Sequence, residues 1–314
     1  MIGAAVADAL GRPLAAAHRV AGGDINAAWR VELEGGTRVF VKTRAGARPG
    51  EYATEAAGLR WLGAVADGLP VPEVLALRDA DGVGAEAAAA ADGDGDARDA
   101  DAAAPAFLAL AGLDEGRLDG RGEEQLGRGL AHVHAAGAPA FGAAPPGAPF
   151  GGLRLGAVEL PAATGADWPA VYGAHRLAPL ARAAEDRGAL PPSGRAAIEA
   201  VIARLPELAG PPEPPARVHG DLWSGNVLAD AHGRPWLIDP AAHGGHREID
   251  LAMLALFGAP SPRTLAAYAE VHPLAAGHEE RVPLWQLFPL LVHAVLFGGS
   301  YGSAAVRAAR RAAP

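Results

Sequence analysis

The sequence predicts an α+β fold, an antiparallel sheet near the N-terminus followed by a mainly helical remainder. Three observations predict it. Residues 27–43, AAWRVELEGGTRVFVKT, read as a β-hairpin, with Val31 and Leu33 alternating with polar residues and Gly35-Gly36 as the turn before Val39, Phe40 and Val41. Beyond residue 112, apolar residues recur at helical spacing over 121–136, 167–190, 195–209 and 281–311. Before the last of these runs VHGDLWSGNVLADAHGRPWLID (218–239), a polar loop leading into a second hairpin.

Taken in order, residues 1–17 read as an amphipathic helix on Val6, Leu10 and Leu14, ended in the Gly11-Arg12-Pro13 region or shortly after it. Gly22-Gly23 precedes the first strand. Such a pair is either a plain turn or a loop that lets backbone approach phosphates. Lys42 ends the second strand. The helix at 49–66 begins near Pro49 and places Tyr52, Ala56, Leu59 and Leu62 near one face, with Glu51 and Glu55 as candidate partners for Lys42. A proline-punctuated strand follows at 69–77. Residues 78–104, rich in Asp, Ala and Gly, cannot bury much apolar surface and read as a mobile loop, after which 104–113 resumes as a strand. Leu126, Leu130 and Val133 share a face of the next helix. His132 and His134 fall on different sides of it, which argues against a shared metal. Residues 139–156 form a Pro/Gly loop, and PPEPPA closes the 195–209 helix before residue 218.

The chemistry gathers at 218–239. Val227–Ala229 and Trp236–Ile238 are short apolar runs joined by turn residues, so the hairpin returns Asp239 to the side of Asn226. An amide oxygen and a carboxylate at one hairpin end suit Mg²⁺, which takes few protein oxygens and completes its shell with water and phosphate. The spacing His219-x-Asp221-x-x-x-x-Asn226 followed by Asp239 is that of a phosphotransferase catalytic loop. Asp221 would take the acceptor's proton, and Asn226 and Asp239 would hold the metal. His219, Asp221, Asp239, His243 and His246 also permit a zinc or di-metal hydrolase reading, but that leaves Lys42, Glu55 and the N-terminal hairpin without a purpose.

HGDLWSGN followed by LIDPAAHGGHREIDLAM closely resembles the fructosamine kinase (ketosamine-3-kinase) family, within the aminoglycoside-phosphotransferase and choline-kinase group. GGDINAAWRV, VFVKT and DWPAVYGAHRL extend the resemblance over about residues 18–302. It implies a bilobal protein-kinase-like fold, with an N-lobe of residues 1–111 and a C-lobe of 112–314. It implies ATP and Mg²⁺ as cofactors and a small or protein-bound ketosamine as the acceptor, phosphorylated on a sugar hydroxyl. The resemblance carries Gly22, Gly23, Lys42 and Glu55 over to the phosphates, with Glu55 preferred to Glu51 by register. The backbone at Leu110, Ala111 and Gly112 would meet the adenine. Trp223, His246, Arg247, Trp285 and His293 become candidates for the acceptor pocket, Arg176 one that reaches the cleft, and Asp250 an acceptor for catalytic-loop N–H groups. The sequence departs from the family at Ala27, where a Glu is common, at Ala111, usually acidic, and around 148–152, where an Asn is missing. That last departure leaves open another hydroxyl acceptor, such as an aminoglycoside or amino sugar. A nucleotide-binding protein without transfer activity is a third reading, opposed by the intact set of Lys42, Asp221, Asn226 and Asp239.

Bulk properties bound the rest. The 314 residues suffice for a sizeable core, and a net charge of −9 argues against a general nucleic-acid or anionic-membrane binder. No cysteine is present, which excludes thiolate catalysis and Cys-ligated zinc. No secretory leader or long apolar run appears, so a cytoplasmic monomer is expected.

Overall fold

The computed structural model describes residues 2–20, 27–80, 105–258 and 260–314. Helix α1 (Ile2–Leu10) leads into five strands: β1 (Leu14–Val20), β2 (Ala27–Leu33), β3 (Thr37–Thr43), β4 (Val74–Arg78) and β5 (Phe107–Ala111). They form one antiparallel sheet in the order β1-β2-β3-β5-β4, with α2 (Glu51–Gly63) inserted after β3. Strand periodicity divides the core. Phe107 and Ala109 join Val6, Val31, Val39 and Val41 on the α1 face, and Leu108 and Leu110 join Tyr52, Ala56 and Leu59 on the α2 face.

Strand β1 corrects the sequence reading, which continues the first helix through Leu14 to residue 17. The helix stops at Leu10, Gly11 takes φ 62°, and LAAAHRV pairs with β2 from Leu14↔Leu33 to Val20↔Ala28. Three alanines in a half-exposed edge strand carry a helical propensity, and pairing with β2 overrides it.

The start of α2 also departs from expectation. Its cap residue, Gly50, offers no side chain, and the helix N–H groups of Tyr52 and Ala53 donate instead to the two carboxylate oxygens of Asp79, at 3.0 Å each. Asp79 is 2% exposed, although it falls in the stretch expected to be a mobile loop. Residues 81–104 of that stretch lie outside the described residues, as do Gly22 and Gly23. Asp79→Ala should lower unfolding stability by about 2 kcal/mol, the upper end for a lost cap, and a urea midpoint unchanged from native would refute the capping role.

The helical part comprises α3 (Gly120–Ala135), the small ladder β6 (Leu153–Leu155) and β7 (Val158–Leu160), and α4 (Trp168–Tyr172). A π turn (Gly173–Leu177), α5 (Ala178–Asp186) and α6 (Pro192–Leu208) follow. After them come β8 (Ala216–Val218), β9 (Val227–Ala229), β10 (Pro235–Leu237), β11 (His243–Gly245) and α7 (Glu248–Leu256). The chain closes with α8 (Pro262–Val271), α9 (His278–Phe297) and α10 (Tyr301–Ala312). The last expected helix is thus two, broken at Gly298 and Gly299, both at positive φ. Pro289 inside α9 cannot donate to the Trp285 carbonyl. The Tyr172 hydroxyl stands there instead, 3.0 Å from Leu284 O and 3.4 Å from Trp285 O.

Candidate active site

The site lies where the sheet meets the helical part, and a few contacts fix the two together. Leu237 N–H donates to Pro70 O at 2.9 Å. Arg217 donates to Trp61 O at 2.7 Å, with its guanidinium over that indole. Arg48 and Arg154 share Glu159, and Arg154 also reaches Pro49 O while stacking on Phe150. The 148–152 region, where the expected Asn is missing, therefore packs against the approach to α2.

Lys42 lies on β3 opposite Ala28 and Leu108, and its ammonium is 2.5 Å from Glu55 Oε1 and 2.5 Å from Asp239 Oδ1. Its side chain is only 5% exposed. Burial alone would lower its pKa, but the two carboxylates outweigh burial and raise it, so Lys42 is a fixed cation. Burial pushes the Glu55 carboxyl up, and Lys42 opposes that. Glu51, the competing glutamate, instead pairs with Arg44 and accepts from Arg48 N–H.

Asp221 follows β8 on a loop shaped by two glycines. Gly220 sits at φ 80°, and a Cβ there would fall 2.2 Å from Ala241 O. Gly225 lies under the Trp223 ring, where a Cβ would meet ring carbons at 2.2–2.6 Å, which gives WSGN its glycine. Asn226, 6% exposed, donates through Nδ2 to Asp221 O (2.7 Å) and Oδ2 (3.3 Å). Its Oδ1 is left as an acceptor. Ile238 N–H bonds to Asn226 O at 3.1 Å, drawing the hairpin end beside the loop. Asp239 is held at φ 57°, a strained conformation for a residue with a Cβ, and its side chain stays 41% exposed. Burial, then the Asp239 charge, pushes Asp221 up to about 7, while the Asn226 hydrogen bond pulls it down.

Beneath the loop, Asp250 accepts from His219 N–H (2.7 Å) and Gly220 N–H (2.9 Å), and its Oδ2 lies 3.1 Å from His134 Nε2. His134 Nδ1 meets Tyr268 Oη at 2.7 Å, so α3 and α8 brace the loop through one histidine. His219 Nε2 faces Ile238 O and His243 Nδ1 faces Ala241 O, so each ring meets a backbone carbonyl.

A narrow cavity beside Asp221 and Gly220 is walled by Leu155, Ile249, Met253, Phe288 and Val292, with His293 as its remaining polar side chain apart from Asp250. Trp223 stands beside it, 40% exposed and edge-on to Phe257, which in turn contacts His293. Among the expected acceptor residues, His246, Arg247 and Trp285 do not line this cavity. They are 4%, 4% and 1% exposed and belong to a buried ionic cluster. Arg247 clamps Glu213 with bonds of 2.7 and 2.6 Å, Arg281 clamps Glu248 with 2.9 and 2.6 Å, and Trp285 Nε1 donates to Glu248 at 2.8 Å while stacking on His246. Glu213, His246 and Glu248 lie within metal-ligand reach of one another, but two arginines already neutralise the carboxylates. Glu213 and Arg281 escape sequence reasoning because a charged residue in a loop or at a helix start carries no sign of burial. Arg176 sits 1% exposed in the π turn. Its Nε has no acceptor among the described residues, and burial lowers its pKa to about 10.

Buried histidines make stability pH-dependent. Burial, then the Arg176 charge, lowers His243 to about 4, and burial lowers His219 and His246 as well. Below pH ~6.5 the unfolded chain takes up protons that folded His243 refuses, so stability falls as pH drops from about 6.5 towards 4. For His243 alone the loss is roughly 3 kcal/mol across that window. Urea midpoints should fall between pH 7.5 and 5, less so in His243→Gln, and equal slopes in the two proteins would refute the assignment.

At the backbone of β5, where adenine is expected, Ala111 N–H donates to Glu73 O and Gly112 N–H to Arg38 O, at 2.9 Å each, so Leu110–Gly112 form a fixed strand end. A Thermus thermophilus protein called a probable ketoamine kinase is 34% identical over 288 residues, covering 91% of this chain and 90% of its own. The crystal structure of a candidate fructosamine-3-kinase from Thermobifida fusca is 41% identical, with a TM-score of 0.84 over 99% of this chain and 98% of that one. A macrolide 2'-phosphotransferase from Brachybacterium faecium, 18% identical with a TM-score of 0.57 over 97% of this chain and 96% of its own, shares the fold. The fructosamine kinase family model matches residues 2–312, and the chain belongs to that family.

Proposed function

We propose that this chain is an ATP-dependent kinase for ketosamines, phosphorylating the 3-hydroxyl of a sugar joined to an amine and so priming release of the amine. The observation that carries the reading is Lys42 held between Glu55 and Asp239 at the edge of the loop bearing Asp221 and Asn226. A cation bracketed by two carboxylates is positioned to bind phosphate oxygens, and Glu55 keeps it there. The sheet up to Ala111 and the helical remainder act as two lobes, with the β5 strand end offering backbone groups to the adenine.

The metal donors fit Mg²⁺. Asn226 Oδ1 is free of its own amide's hydrogen bonds, and Asp239 is strained and part-exposed with one oxygen on Lys42. When bound, Mg²⁺ would supply charge neutralisation at the phosphates. Asp221, with a carboxyl poised near neutrality, orients the acceptor hydroxyl and takes its proton as the acceptor O–P bond forms and the bond from the γ-phosphorus to the ADP oxygen breaks, ADP leaving. Asp250 and His134 fix the loop, and His293 faces the acceptor with Nε2, its Nδ1 being 2.7 Å from Pro289 O.

Release of ADP from Mg·ATP, measured with fructosyl- and ribulosyl-amines, free sugars, choline and an aminoglycoside, tests the reading. Turnover confined to ketosamines is expected. Turnover on a different acceptor alone would discard the substrate assignment and keep the kinase. Asp239→Ala should weaken Mg²⁺-dependent nucleotide binding by at least the roughly 10- to 100-fold that loss of an outer-sphere partner brings. Unchanged Mg·ATP affinity by calorimetry would remove Asp239 from the metal site.

A further inference from the structure

The acceptor cavity opens onto an aromatic strip. His293 lies 5.4 Å from Phe257, 5.6 Å from Phe297 and 5.0 Å from Tyr301 between ring centroids, and Phe257 lies 6.0 Å from Trp223. Trp223 and Phe297, 40% and 50% exposed, are two of the four large hydrophobic side chains that stand out from the surface among the described residues. They come from separate elements and are joined through Phe257 and His293, the latter lining the cavity with Asp221. Isolated exposed hydrophobics need no explanation, but a contiguous strip at a catalytic cavity points to something that covers it.

Helices α7, α9 and α10, which carry or end at Phe257, His293, Phe297 and Tyr301, also line a groove of about 450 Å³. Leu256 precedes Phe257 at the end of α7, Leu290 lies one turn before His293 on α9, and Ala304 lies one turn after Tyr301 on α10. All three line the groove with Gln286, as do Arg307, Arg310 and Arg311 of α10. None of these arginines forms an ion pair with a described residue, and Arg307 makes only a 3.3 Å bond to the Ser303 hydroxyl. Cations in the last turns of a helix offset its dipole, which accounts for their placement along α10. It does not account for the apolar side chains that line the groove with them, or for three unneutralised guanidiniums together in a chain of net charge −9.

We propose that strip and groove together dock the polypeptide around a protein-borne ketosamine. An apolar neighbour of the modified lysine lies on Phe297 and Tyr301, and acidic residues further along reach Arg307 and Arg311. This rests on the ketosamine reading of the Asp221 site and adds a preference for acidic peptide substrates. From Tyr301 to Arg311 the helix rises about 15 Å, the reach of roughly five residues of extended chain. The acidic residues therefore belong about four to six positions from the ketosamine, where each carboxylate can take a bidentate arginine contact.

The test uses the full-length protein and three substrates carrying the same fructosyl group. One is a small alkyl amine, one is a peptide with a leucine beside the fructosyl-lysine and Asp/Glu at those positions, and one is the same peptide with Lys in their place. The acidic peptide should exceed the basic one in kcat/KM by about ten-fold at low salt, with the gap narrowing as salt rises. Arg307→Glu with Arg311→Glu should reverse that order and leave the small amine unchanged. Phe297→Ser should lower both peptides and spare the small amine. Equal kcat/KM for the two peptides, or a double variant that loses small-amine turnover to the same extent, overturns the docking surface while the ketosamine reading stands. No turnover of any of the three by the native protein overturns both.

Discussion

Asp221→Asn should bind Mg·ATP with near-native affinity and transfer phosphate slower by on the order of 1,000-fold, the middle of the range for losing a general base. The substitution is nearly isosteric. Asn226 Nδ2 donates to the Asp221 backbone carbonyl, which the substitution leaves in place, and the loop N–H groups stay on Asp250. What disappears is the carboxylate proposed to take the acceptor's proton. Asp221 is also raised by the neighbouring Asp239 charge, so the variant removes a repulsion beside the metal donors. Nucleotide affinity should therefore hold or improve while kcat collapses, a split that misfolding would not produce. Equal kcat in variant and native protein would sink the assignment of Asp221 as base, and equal loss of ATP affinity and kcat would reassign it to nucleotide binding.

The site is legible in the sequence to the extent that it is local. The His219–Asn226 loop and its hairpin are one continuous segment with turn residues between short strands, so spacing alone brings Asp239 back to Asn226. For Lys42 at a strand end the residues alone offer both Glu51 and Glu55, the family resemblance favours Glu55, and the structure places Lys42 and Glu55 2.5 Å apart. Reading fails where a role depends on packing between distant elements. His246, Arg247 and Trp285 read as pocket residues because they follow or resemble functional positions, yet Glu213 and Glu248 draw them into a buried ionic cluster. Asp79 hides in an acidic stretch, and only the tertiary position of α2 turns it into a cap. Helix α8 is a different kind of omission. Ser261 before Pro262 is a plain start signal, and its hydroxyl does accept from Thr264 N–H at 3.2 Å.

Asp250→Ala should be the most destabilising change near the site, by roughly 3–5 kcal/mol, because it leaves several buried groups without a partner at once. Its two oxygens take His219 N–H, Gly220 N–H and the His134 ring, all in a region where Asp250 is 1% exposed. Burial alone would raise the Asp250 pKa. The hydrogen bond from His134, the His134 and His219 charges and the Gly220 N–H outweigh it and hold the carboxyl below its ordinary value. That shift means its contribution is present above the unfolded pKa and is lost as pH falls through the folded one. Asp250→Asn separates charge from shape. With its amide oxygen turned towards His219 and His134, two of the three partners keep an acceptor and Gly220 N–H faces an NH₂ group. The loss should then be about half that of the alanine variant. Because Gly220 precedes Asp221, both variants should lower kcat more than they raise KM for ATP, whose phosphates are proposed to meet Lys42 and the hairpin end. Urea midpoints ordered native, Asn, Ala, with kcat falling in the same order, are the expected pattern. An alanine variant within about 1 kcal/mol of native would mean that water or backbone relaxation satisfies the loop, and that Asp250 does not hold Asp221 in place.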